Sequence, residues 1–128
     1  MRLLRLMPDY GCWPIWSGGA GDCDNIDPED LPIADGSRDR LQRWVDAFDA
    51  ILDPGDPAAS DFATAGDEVA HEREGRELWR ILEAELAPDF RLHYHSVAFG
   101  RLYTHPDQLP PLEEILRRRA ARRREDPP

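Results

Sequence analysis

Apolar residues recur along this chain with two distinct periods. Leu41, Trp44, Val45, Phe48, Ile51 and Leu52 fall three or four positions apart and line one face of a helix. Ser37 suits its N-cap, Asp39 its first turn, and Pro54-Gly55 stops it. A second helical stripe runs through Val69, Leu78, Trp79, Leu82 and Leu86, with Ile81 beside it. Thr64 followed by Asp67 resembles a capping box at its start. Within it, Glu72–Arg76 and Arg73–Glu77 are spaced as exposed ion pairs. Gly75 either weakens this helix by about 1 kcal/mol relative to Ala or permits a close backbone approach.

A period of two marks the strands. In residues 2–7, Leu4 and Leu6 share one face and Leu3 and Met7 the other, which suits an inner strand or one covered on both sides. Pro8, with no N–H to donate, ends the pairing. Phe90, Leu92 and Tyr94 alternate with Arg91, His93 and His95, a half-buried strand. Residues 97–104 read as a further strand or, because of Gly100, as a bend. Pro110-Pro111 open a last helix whose only apolar residues are Leu112, Ile115 and Leu116, so it is expected to dock weakly at one end. Residues 8–35 show neither period, and so long an irregular connection is commonly functional. The pattern predicts an α+β fold: a two- or three-stranded sheet packed on two amphipathic helices, a long N-terminal loop and an Arg-rich C-terminal helix. A single domain is expected over residues 1–110, with residues 111–128 as helix and tail.

Charge sharpens this picture. The 128 residues carry a net charge of −10, and every base is Arg. Residues 1–116 hold a net −14 and residues 117–128 a net +4. The body is expected to repel nucleic acid and anionic membrane and to attract basic partners. The tail is expected to fold back on that body or to reach the acidic face of a second copy, giving a homodimer or larger oligomer. The apolar run at the N-terminus is shorter than a signal peptide requires, no stretch reaches membrane-spanning length, and two Cys make no disulfide framework. A reduced, cytoplasmic protein without cofactor is expected.

The opening loop carries the strongest candidate site. Tyr10, Trp13 and Trp16 lie among Asp9, Asp22, Asp24, Asp27, Glu29 and Asp30. Aromatic anchors in an acidic rim suit a basic protein partner, because Trp and Tyr supply contact energy and carboxylates supply steering. The alternative is that Trp13, Ile15 and Trp16 tuck under the helices as core. Asp46 and Asp49 extend the acidic surface onto the first helix, although its dipole disfavours anions near its end. Metal binding rests on His93-x-His95, two imidazoles on one strand face, with Cys12 and Cys23 as soft donors, but no compact ligand cluster joins them. Catalysis rests on Cys12 with His93 or His95 as a nucleophile–base pair, and no phosphate loop, nucleophile elbow or dinucleotide fingerprint accompanies them.

Two segments carry a resemblance. Arg-Leu-Met-Pro-Asp-Tyr-Gly-Cys-Trp-Pro-Ile-Trp (residues 5–16) and Asn-Ile-Asp-Pro-Glu-Asp-Leu-Pro (25–32), with residues 43–63 and 72–86, resemble a group of small acidic proteins of high-GC bacteria. The resemblance covers roughly residues 2–95 and leaves the Arg tail outside. In general profile the chain is similar to immunity proteins of bacterial toxin systems. That profile implies a binding protein that masks the site of a basic, nuclease-type toxin, with no catalytic residue. On this reading the partner-binding residues are Asp9, Tyr10, Trp13, Trp16, Asp27, Glu29, Asp30, Asp46 and Asp49.

Overall fold

The structure, a computed structural model, describes residues 2–18 and 24–125. They form five strands and three helices, an α+β architecture. The strands are β1 (Arg2–Leu6), β2 (Ile15–Ser17), β3 (Asn25–Ile26), β4 (Phe90–Ser96) and β5 (Arg101–Tyr103). The helices are α1 (Asp35–Asp49), α2 (Ala65–Leu86) and α3 (Glu113–Glu125). All five strands join one sheet in the order β3-β2-β1-β4-β5, so the sheet is larger than the two or three strands expected. The opening loop folds back as a meander, with β2 antiparallel to β1 and β3 antiparallel to β2. Its short strands break off at Pro14 and the glycine run, which is why no alternation betrays them.

β1 is the inner strand that its two-sided pattern predicts. It lies parallel to β4 with Leu4 opposite Leu92 and Leu6 opposite Tyr94. A parallel neighbour needs a long crossover, which α1 and α2 supply. Gly100, at φ +59°, makes the tight turn from β4 into β5, so the stretch 97–104 holds both the bend and the strand.

Leu4, Leu6, Ile15, Leu92, Tyr94 and Tyr103 point from the sheet into the core, against Leu78, Trp79, Leu82 and Leu86 of α2. Leu41, Trp44 and Val45 of α1 complete it. β5 pairs only with residues 94–96, which leaves the Leu92 carbonyl to accept the Trp79 indole N–H at 2.7 Å. Gly75 serves close approach: a Cβ there would stand 2.5 Å from the Tyr94 hydroxyl and 2.8 Å from the Trp44 ring.

Four local expectations change. Ser37 lies inside α1, whose N-cap is Ala34. The first turn of α1 has no side-chain cap; Glu85 of α2 instead ties down its start, accepting the Ala34 N–H at 2.8 Å and the Ser37 hydroxyl at 2.7 Å. Thr64 does cap α2, accepting the Asp67 N–H at 3.0 Å. Glu72, expected on the exposed side, is only 2% exposed. It accepts from Tyr94 Oη and Ser96 Oγ, both at 2.8 Å, and from Arg76 Nε at 2.8 Å. Glu77 pairs with Arg80 instead of Arg73. Finally, α3 folds back on α2: Ile115 is buried, and Arg119 spans Asp61, Glu68 and the Phe62 carbonyl.

Candidate functional site

The first part of the opening loop lies along α1. Tyr10 stacks on Phe48, centroids 4.5 Å apart and planes 12° from parallel. The Gly11 N–H points to Asp49 Oδ1 at 3.4 Å, and Gly11 takes the positive φ of +71° that the turn needs. Asn25 binds both sides of the loop: its Oδ1 accepts the Trp13 N–H at 3.0 Å, and its amide donates to the Trp13 carbonyl at 2.7 Å. This bracing holds the Trp13 backbone still while its side chain stays 46% exposed.

Trp13 stands between two clefts. One, of about 440 Å³, is lined by Cys12, Pro14, Gln42, Val45 and Asp49. The other, of about 170 Å³, is lined by Pro14, Asp27, Glu29, Arg38, Asp39 and Val45. Asp27 also accepts the Glu29 N–H at 3.0 Å, which fixes the turn that carries both acids. Arg38 is the cation lining the second cleft, and its donors are spent on the Pro28 carbonyl, the Leu31 carbonyl and Asp35. Asp39, Asp46 and Asp49 share one stripe of α1, with Asp46 accepting from Gln42 at 2.9 Å. The surface is therefore an exposed indole among carboxylates with little internal neutralisation.

Not every expected residue gathers there. Asp9 is exposed and accepts the Tyr10 N–H at 2.8 Å, fixing the loop's entry. Asp30 is exposed beyond the clefts. Trp16 points to the opposite face of the sheet from Ile15, donates its indole N–H to the Met7 carbonyl at 2.9 Å, and lines neither cleft. Thus Trp13 projects outward, Tyr10 is half-buried support, and Trp16 belongs elsewhere. Asp39, absent from the expected set, is placed here by its seven-residue spacing from Asp46, a signal present in the sequence.

The candidate chemistry is dispersed. Cys12 lies against α1, with Sγ 3.5 Å from the Tyr10 carbonyl, whereas His93 and His95 project from the far side of the sheet. The nucleophile–base pair is not assembled. Cys23 and Asp22 lie outside the described residues. Among the described residues no group of three or more His, Cys, Asp or Glu is placed to hold a metal ion.

A larger apolar groove, about 540 Å³, runs between α1 and α2 over Trp44, Phe62 and His71. His71 and Trp44 stack 4.8 Å apart and bond reciprocally through their backbone carbonyls, at 2.9 and 3.1 Å. Burial holds the His71 imidazole below its ordinary range. At the rim, Glu74 is already held bidentately by Arg40 at 2.6 and 2.7 Å, and Arg43 adds a positive charge. The groove therefore lacks the acidic surplus found around Trp13.

The mixed five-stranded sheet backed by helices defines a small α+β domain. A family model described as Serratia CdiI immunity protein-like matches residues 2–97, and the chain belongs to that family. Membership in a family of immunity proteins implies a toxin as the binding partner. Among curated proteins none matches the chain. No helix among the described residues is long and apolar enough to cross a membrane.

Proposed function

We propose that this chain is a cytoplasmic immunity protein that neutralises a basic, nuclease-type toxin by covering its site with the opening loop and α1. Trp13 is the anchor, and Asp27, Glu29, Asp39, Asp46 and Asp49 are the surrounding charges, with Tyr10 and Asp9 as supports. The observation that carries the reading is the exposed Trp13 on a braced backbone, between two acid-lined clefts. A large aromatic held rigid loses little entropy on binding, and unneutralised carboxylates steer a cationic partner and rival its phosphate ligands. The body's net −14 extends that steering beyond the contact.

Stopped-flow association with a cognate toxin tests the proposal. The double variant Asp46→Asn/Asp49→Asn is expected to associate about tenfold more slowly at low salt and to flatten the ionic-strength dependence. An association rate indifferent to both the substitutions and salt would overturn the electrostatic reading.

A further inference from the structure

We propose that the face of the sheet turned away from the helices carries an oxyanion site, in which the half-buried Arg5 guanidinium and His95 imidazole hold a phosphate or carboxylate group. This face is distinct from the Trp13 surface. Alternation sends Leu4, Leu6, Leu92 and Tyr94 inward, so Arg5, His93 and His95 point outward. Register makes them neighbours: Arg5 of β1 lies directly opposite Trp16 of β2 and His93 of β4. His95 follows two residues on, opposite Leu102, which is 43% exposed.

Two features point to an anion. The first is charge of the wrong sign for the molecule. On a chain of net −10, Arg5 forms no ion pair among the described residues, and Glu83, 3.8 Å from Arg91, is the carboxylate whose charge acts on His93. The second is unmade hydrogen bonds. Arg5 Nε and His95 Nδ1 are both buried without a hydrogen-bond partner among the described residues. A buried donor left unpaired is costly, and a neutral imidazole can carry its proton on Nδ1. One oxyanion bridging the two nitrogens would satisfy both and neutralise Arg5, with the Trp16 ring as an adjoining wall. Burial and then the Arg5 charge hold His95 below the ordinary imidazole range; Glu83 and Arg91 face His93 instead. A bound anion would relieve that depression.

NMR titration of the full chain at pH 7 and constant ionic strength tests the site, with sodium phosphate in one arm and sodium acetate in the other. The expected result is saturable shifts confined to Arg5 Nε, the His93 and His95 rings and the Trp16 indole. Arg5→Gln should weaken binding at least tenfold. Arg5→Lys keeps the charge, lacks the Nε donor and should weaken it too; it serves as readout should Arg5→Gln disturb the amide spectrum. Tighter phosphate binding assigns a phosphate source, and acetate binding as tight or tighter assigns a partner's carboxylate. Shifts that stay linear with both anions, or that persist unchanged in both Arg5 variants, would overturn the site. Toxin binding takes no part in these measurements, so they stand or fall apart from the immunity reading.

Discussion

At the scale of single residues, Glu72 shows how a local pattern can conceal a distant partner. Its spacing to Arg76 suits a surface pair, and that bond exists. Yet the same carboxylate is buried beneath β4 and takes hydroxyl donors from Tyr94 and Ser96, 22 and 24 residues away. Nothing in a helical window records such partners. Glu72→Ala strands Arg76 and two hydroxyls and is expected to cost about 3 kcal/mol, measured by urea unfolding. Gly75 gives a sharper sign test. Helix propensity alone favours Gly75→Ala by about 1 kcal/mol. The contacts at 2.5 and 2.8 Å predict the reverse, a loss of about 1–3 kcal/mol, because the Tyr94 hydroxyl is tied to Glu72 and Trp44 is packed. His71 sets a pH dependence. Its folded pKa lies below that of the unfolded chain, so its contribution is complete above about pH 6.5 and falls away as pH drops through the folded value. His93 and His95 are shifted in the same direction. His71→Phe keeps an aromatic ring against Trp44 and is expected to reduce the stability loss between about pH 6.5 and 5, above most carboxylate titration. An undiminished loss would remove His71 as a principal source.

At the scale of elements, legibility follows length and periodicity. α1, α2, β1 and β4 are long enough to repeat their pattern, and all four form, although α1 ends at Asp49 and leaves Ile51 and Leu52, the last of its expected stripe, beyond the helix. β2 and β3 are three and two residues long, between prolines and glycines, and the pairing of β2 to β1 and of β3 to β2 is a tertiary event. Ser37 looks like a cap because capping is usually local; α1 starts two residues earlier, uncapped by any side chain, and Glu85, more than 40 residues on, holds its start through Ala34 and Ser37. For α3, composition alone misjudges the anchoring. One buried apolar residue, Ile115, is supplemented by Arg119, which reaches two carboxylates and a carbonyl on the α1–α2 connection and α2. Ile115→Ala is expected to destabilise the protein by about 2–4 kcal/mol. If hydrogen exchange in that variant quickened only within 113–125, α3 would be a separable appendage; faster exchange in 61–68 as well would show that it clamps the connection.

At the scale of the whole molecule, charge and topology divide the surface. The parallel β1–β4 pair needs a crossover, which sets α1 and α2 against one face of the sheet, and the loop acids Asp27 and Glu29 fall beside Asp39 of α1. The far sheet face keeps Arg5, His93 and His95. The sequence announced an acidic, aromatic loop, but it could not separate Trp13 from Trp16, because that depends on which β2 residue faces the core. Trp13 is the proposed anchor for the toxin, and isothermal titration with that toxin tests this role most directly. Trp13→Ala is expected to lower affinity about 30-fold or more, equivalent to about 2 kcal/mol, with the melting temperature unchanged because the indole is half in solvent. Wild-type affinity in that variant would contradict it.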